Sequence, residues 1–167
     1  MMLVQMHGEP GSGKTTLARA LGPRIPAIHI DKDVIASAIM YMGIPKELAG
    51  PTSYEVMWDL SKSLLSQGHS VIADSPAFWP IIEQTGHGLA REMGVSYFMI
   101  ETQCPADELD RRLATRERRI SNPEIRYEGT RPGTREPTRT RLILDSTRPI
   151  EELVELALEY IGLKAAS

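Results

Sequence analysis

Cys104 is the chain's one cysteine among 167 residues. A single thiol can neither close an internal disulfide nor supply a multi-thiolate zinc site, so a disulfide-stapled secreted scaffold is excluded. Aromatic residues are scarce as well, at 5%, which leaves few of the stacking platforms that binders of single-stranded nucleic acid offer. No run approaches the roughly 20 apolar residues of a membrane helix. The start Met1-Met2-Leu3-Val4 is interrupted by Gln5, His7 and Glu9, so it lacks the cationic and apolar regions of a signal peptide. No internal repeat and no Ser/Gly linker divides the chain. What remains is 41% hydrophobic and 25% charged, the balance of an ordinary soluble globular protein rather than a disordered chain, a collagen or a coiled coil. The expectation is one domain spanning 1–167 in a reducing, cytoplasmic compartment, without a membrane partner.

The net charge of −3 hides an asymmetry. Between Arg111 and Arg141 ten arginines face four acids, while the remainder holds nine Lys/Arg against 18 Asp/Glu. Arginine's planar fork matches phosphate and carboxylate oxygens, so this stretch suits an anion; a solvated surface run is the plainer alternative. Within it, residues 121–140 carry Pro123, Pro132, Pro137, Gly129 and Gly133 and almost no apolar side chains. They read as a long loop, and about 111–141 as a lid or mobile segment.

Elsewhere strands and helices alternate. Leu3–Met6, Ala27–Ile30, Ser70–Asp74, Val95–Glu101 and Arg141–Asp145 read as strands. Helices are expected from Gly13 or Lys14 to about Leu21, through Val34, Ile35, Ala38 and Ile39, after Thr52-Ser53-Tyr54-Glu55, in the region that continues from the third strand to Met93-Gly94, after Pro105 and after Pro149. The Thr52–Glu55 spacing is that of a capping box, with Val56, Leu60 and Leu64 as the buried face behind it and Gly68 as the C-terminal cap. Gly86 and Gly88 weaken the reading before Met93, because glycine inside a helix costs about 1 kcal/mol relative to alanine. Strands separated by helices imply an α/β fold with a parallel sheet covered on both faces, and ligands bind such sheets at the carboxyl ends of the strands.

Gly8-Glu9-Pro10-Gly11-Ser12-Gly13-Lys14-Thr15 fits G-x-x-x-x-G-K-[ST] between a strand and a helix. Glycines let the backbone curl so that successive N–H groups face phosphate oxygens, and the helix adds the positive end of its dipole. Lys14 can reach the β- and γ-phosphates and the Thr15 hydroxyl can ligand Mg²⁺. ATP or another nucleoside triphosphate is therefore the expected ligand, with Mg²⁺ as its metal.

Neighbouring residues extend this chemistry. Strand two ends in Asp31-Lys32-Asp33, where either carboxylate could act as a base or cap the following helix. Asp74 follows strand three, where P-loop proteins place an aspartate on Mg²⁺ or on its water. Arg112 and Arg116 share a helical face, nearly joined by Arg119, and salt bridges to Glu108 or Asp110 are the structural alternative for one of them.

These motifs resemble the small P-loop kinases of the nucleoside-monophosphate-kinase-like fold, in the group that holds polynucleotide 5'-hydroxyl kinase, chloramphenicol phosphotransferase and predicted AAA-type kinases. The carriers are Gly8 to Thr16, Ile30-Asp31-Lys32-Asp33, Val71-Ile72-Ala73-Asp74-Ser75, and Cys104 to Arg112 with Arg116. The resemblance implies a three-layer fold with five parallel strands in the order 2-3-1-4-5 and an arginine-rich lid. It implies that Asp33 is the general base, that Arg112 and Arg116 hold the donor phosphates, and that the nucleobase lies near Arg112 and Thr147-Arg148-Pro149. Members with a phosphate-bearing acceptor often carry an arginine three residues beyond the base; Ala36 stands there in this chain.

The expected activity is transfer of the γ-phosphate of ATP to an alcohol of a small molecule. Lys14, Asp33 and Arg116 form the catalytic set, with Gly8 to Thr16, Arg112, Arg116 and Arg148 on ATP. Thr15 and Asp74, the latter directly or through water, serve the metal. Asp31, Asp33, Tyr54 and Trp58 serve the acceptor, together with Tyr41, Met42 and Met57, and with Phe78 and Trp79 opposite. The alternatives are a polynucleotide or nucleotide 5'-hydroxyl kinase, for which the low aromatic content is unfavourable, and a nucleotide-dependent switch with slow hydrolysis.

Overall fold

Leu3, Val4, Gln5 and Met6 are all fully buried, because their strand is the central one and has helices on both of its faces. The computed structural model describes residues 1–76, 79–116, 120–121 and 141–163. Phe78, Arg119, Arg126, Arg131, Arg135 and Arg139, with most of the arginine-rich stretch, lie outside the described residues.

The strands are β1 (Met2–His7), β2 (Ala27–Asp31), β3 (Ser70–Asp74), β4 (Ser96–Gln103) and β5 (Leu142–Asp145). The helices are α1 (Lys14–Leu21), α2 (Lys32–Tyr41), α3 (Lys46–Ser66), α4 (Pro80–Glu92), α5 (Ala106–Thr115) and α6 (Ile150–Tyr160). All strand pairs are parallel, and the sheet order is β2-β3-β1-β4-β5, the order that the resemblance implies.

Alternation along the strands sends side chains into two cores. Val4, Met6, Ile72 and Ile100 meet Leu17, Leu21, Leu153 and Ala157 from α1 and α6. Leu3, Ile30, Val71 and Ala73 meet Met57, Trp58 and Leu65 from α3 and Ile82 and Leu89 from α4. Each large side chain removed from water contributes roughly 1.5–3 kcal/mol.

The longest helix corrects two expectations. α3 starts at Lys46 behind Pro45, so Thr52 to Glu55 lie inside it and Thr52 caps nothing. Its buried side chains include Met57, Ser61 and Leu65, whereas Val56 and Leu60 are exposed. A period of four was therefore the right signal on a face one residue away from the buried one. Gly68 follows the helix at φ 92°, and its N–H donates to Leu65 while that of His69 donates to Leu64, as a left-handed C-terminal cap requires.

Gly86 lies inside α4 and lets the helix approach the sheet. A Cβ there would collide with the carboxamide oxygen of Gln5 and stand 3.0 Å from Trp58 Cη2. Gln5 is buried but satisfied: its Nε2 donates to Ile82 O at 3.1 Å, and Tyr97 OH donates to its Oε1 at 2.6 Å. The glycine that weakens the helix in sequence thus makes room for a polar tie between layers.

Candidate active site

The loop between β1 and α1 carries Gly8, Gly11 and Gly13 at φ 134°, 90° and 93°, values that side-chain-bearing residues rarely adopt. Ser12 Oγ lies 2.8 Å from Thr102 Oγ1 and pins the loop to β4. A Cβ on Gly8 would come within 2.5 Å of both Ser12 Oγ and the Thr102 carbonyl oxygen. The curl is therefore fixed by its neighbours as well as by its glycines.

Lys14 opens α1 and is buried, with Nζ donating to Glu9 O at 3.4 Å. Burial pushes its ammonium below the usual lysine range, with Arg116 acting the same way, while Asp74, Asp33 and Asp31 pull it back. These five charges thus share one electrostatic neighbourhood.

Of the two aspartates at the end of β2, Asp31 takes the capping role that the sequence left open for either. Asp31 Oδ1 accepts the Asp33 backbone N–H at 2.9 Å and so caps α2. Asp33 is in the first turn of α2, with its carboxylate 3.0 Å from Lys32 Nζ. Both aspartates line a cavity of about 710 Å³ that also touches Gly11, Gly13, Lys14, Thr15, Thr16, Arg112, Arg116 and Arg148. Asp74 is 2% exposed; its Oδ2 lies 3.1 Å from His29 Nε2, and its Oδ1 has no hydrogen-bond partner among the described residues. A buried carboxylate oxygen left over within electrostatic reach of Lys14 in the phosphate loop suits a hydrated Mg²⁺, a hard cation that takes oxygen ligands.

Arg112 is more heavily engaged than the sequence suggests. Its Nε donates to Glu108 at 2.6 Å, Nη1 to Ser146 Oγ at 2.9 Å and to Gly11 O at 3.4 Å, and Nη2 to Ser146 O at 2.9 Å. It therefore joins α5 to the phosphate loop and to the turn after β5. Arg111 also grips Glu108, and the two guanidinium groups hold that carboxyl down to about 2. Thr147 N–H donates to Asp145 Oδ1 at 2.9 Å and shapes the turn, while Arg148 pairs with Glu152 one turn into α6. Ile150 and Leu153 add an apolar wall beside Arg112 and Arg148, a setting that suits a flat ring more than a phosphate.

Not every expected acceptor residue gathers here. Tyr41 lines the cavity. Trp58 packs in the core with Met57 and Ile82, and Tyr54 packs at the edge of that core with Lys32 Nζ 5.1 Å from its ring centre. Glu9 and Pro10 are part of the loop itself. The Glu108 bridge to Arg112 is the structural alternative that the sequence offered, whereas His29, Lys32 and Ser146 have no role read from sequence; strand alternation could have put His29 on the Asp31 face, but nothing local marks Ser146.

Fold and loop together define a P-loop nucleotide-binding domain with the sheet order of the small kinases. The chain belongs to the AAA domain family, whose model matches residues 3–128. A sugar kinase from Janibacter sp. HTCC2649 is 21% identical, with a TM-score of 0.69, covering 97% of this chain and 94% of that one. The APS kinase CysC of Mycobacterium tuberculosis, in complex with AMPPNP and APS, is 17% identical with a TM-score of 0.70, covering 96% of this chain and 97% of that one. A gluconokinase from Sinorhizobium meliloti 1021 is 15% identical with a TM-score of 0.66, covering 95% and 90%. Similarities at these identities establish the fold. No curated protein matches the chain, and among the described residues no helix is long and apolar enough to cross a membrane.

Proposed function

We propose that this protein is a phosphotransferase that moves the γ-phosphoryl group of ATP to an alcohol of a small molecule. The observation that carries the reading is that Lys14, Asp33 and Arg116 line one cavity with the glycine-curled loop, while the buried Asp74 acts on Lys14. It is supported by the similar structures, which include a sugar kinase, an APS kinase bound to AMPPNP and APS, and a gluconokinase.

In this reading the backbone N–H groups of Gly11 to Thr15 and the Lys14 ammonium hold the β- and γ-phosphates. Thr15 and Asp74 would hold Mg²⁺, which supplies charge neutralisation across those phosphates. Asp33 orients the acceptor hydroxyl. The alcohol oxygen bonds to the γ-phosphorus, the bond from that phosphorus to the bridging oxygen of ADP breaks, and the hydroxyl proton passes to Asp33. Arg116 adds positive charge where the transferring group needs it. Arg112 and Arg148 frame the nucleobase.

ATP incubated with a panel of sugars, sugar acids, nucleosides and amino alcohols tests this reading. Acceptor-dependent ADP release that Asp33→Ala lowers at least a hundredfold, with ATP binding kept, is the expected result. Slow hydrolysis indifferent to every acceptor would reject transfer in favour of a switch.

A further inference from the structure

His29 has no place in that mechanism, yet among the described residues it is the hydrogen-bond partner of the buried Asp74 carboxylate. β2 and β3 pair in register with Asp31 opposite Asp74 and His29 opposite Ile72. Alternation then places His29, Asp31 and Asp74 on the α1 side of the sheet, while Ile30 and Ala73 enter the opposite core. His29 reaches diagonally across the pair, and its Nε2 meets Asp74 Oδ2 at 3.1 Å. The ring is 17% exposed and the carboxylate 1%.

This contact divides the two oxygens of Asp74. One is tied to the imidazole; the other is buried with no hydrogen-bond partner among the described residues. A buried carboxylate oxygen without a partner is costly, and a carboxylate with neither oxygen fixed would turn about its last torsion to find a donor. Lys14 is the cation that attracts it: of the charges around that ammonium, Asp74 acts on it most strongly. Collapse onto Lys14 would take the lysine from the phosphates and the carboxylate from the cation in one movement. A ring N–H donor that holds the far oxygen prevents it, in the manner of outer partners that orient metal-binding groups.

We propose that His29 is a positioning residue that holds Asp74 so that its second oxygen serves the metal of the nucleotide site. The inference rests on the reading of that site as one for Mg²⁺-nucleotide. His29 touches neither phosphate nor acceptor in this scheme, and it carries its hydrogen on Nε2.

A titration with a fluorescent ATP analogue, in EDTA and across a Mg²⁺ series, separates the possibilities without an acceptor. With wild type, Mg²⁺ tightens binding. His29→Leu should raise the Mg²⁺ midpoint about tenfold, the lower end of what loss of an outer partner costs, and leave binding in EDTA unchanged. His29→Gln, whose amide N–H reaches about as far, should return the midpoint to within about threefold of wild type. A leucine variant with the wild-type midpoint would overturn the proposal, as would a glutamine variant no better than leucine. Nitrogen NMR of wild type with Mg²⁺ and the analogue gives a test that needs no variant: a His29 ring with no hydrogen on Nε2 overturns the proposal. Failure of wild type to bind the analogue at all would instead strike the nucleotide-site reading.

Discussion

Lys32 Nζ lies 3.0 Å from Asp33 Oδ1 and 5.1 Å from the centre of the Tyr54 ring. The base proposed for the reaction is thus steadied by its neighbour in sequence, which is itself held over an aromatic face of α3. An ammonium over a ring gains about 0.5–2 kcal/mol, so the lysine has a preferred position from which to hold the carboxylate. Lys32→Met removes that hold without opening the core. The expected outcome is a fall in kcat of about tenfold, equivalent to about 1.4 kcal/mol of barrier, with the Kd for ATP unchanged. Steady-state kinetics with an acceptor found in the panel, beside a direct nucleotide titration, checks it; equal losses in both would place Lys32 on the donor side.

Two glycines of α4 give opposite expectations for the same substitution. Helix propensity alone favours alanine by about 1 kcal/mol at either position. At Gly88 nothing lies within 4 Å of the new Cβ, so Gly88→Ala should stabilise by about 0.5–1 kcal/mol. At Gly86 the methyl group meets Gln5 and stands 3.0 Å from Trp58. Overpacking of about 1–3 kcal/mol, with loss of the tie from Gln5 to Tyr97 and Ile82, outweighs the propensity gain. Gly86→Ala should therefore destabilise by about 1–2 kcal/mol. Urea unfolding of both variants decides, and a stabilised Gly86→Ala would mean that Gln5 moves aside at little cost.

The same pair shows what the sequence could and could not convey. Strands were legible because apolar runs between turn residues are local signals, and Ser70–Asp74 was read to the residue. The phosphate loop was legible because its glycines, lysine and threonine are consecutive. The α3 face was missed by one residue because Val56, Leu60 and Leu64 have the same period as Met57, Ser61 and Leu65, and only contact with the sheet decides between the rows. Which aspartate caps α2 needed the hydrogen bond from the Asp33 N–H to Asp31. Arg112 to Ser146 spans 34 residues and His29 to Asp74 spans 45, so those pairings follow from sheet order and not from any motif.

Arg112 ties three elements together, and that makes its removal a nucleotide-binding defect more than a folding one. Its contacts to Ser146 and Glu108 are partly exposed, where ion pairs contribute little to stability, typically about 0–1 kcal/mol. The Gly11 carbonyl and the turn that leads to Arg148 would nevertheless lose their common anchor. Arg112→Met is expected to weaken ATP binding at least tenfold while shifting Tm by no more than about 3 °C. Arg112→Lys should recover little, since one ammonium cannot reproduce a fork shared between Glu108 and Ser146. Calorimetric titration with ATP and a thermal melt on each variant would check both halves; a large Tm loss with intact binding would assign Arg112 to the fold alone.

Glu101 stands at the end of β4, 3.3 Å from His7 Nδ1, which immediately precedes the phosphate loop, and 2.7 Å from Arg141 Nε beside β5. Burial alone would raise its carboxyl, but His7, Gln103 and Arg141 outweigh burial and hold it below the ordinary value of 4.5. A carboxylate depressed in the folded state stabilises the fold above its unfolded value, and that contribution disappears as pH falls through the folded value. Glu101→Gln should thus lower stability at pH 7 by about 2 kcal/mol, because the Arg141 guanidinium is left partly buried without its opposite charge. For a chain of this size the corresponding Tm loss is about 4–8 °C. The gap between wild type and variant should narrow only below about pH 4.5, where the carboxylate of the unfolded chain begins to protonate while the folded one still holds its charge. Melts from pH 7 to pH 3 test the sign: a gap that stays constant to the acid end would show that shape, and not charge, is what residue 101 contributes to the joint between β1, β4 and β5.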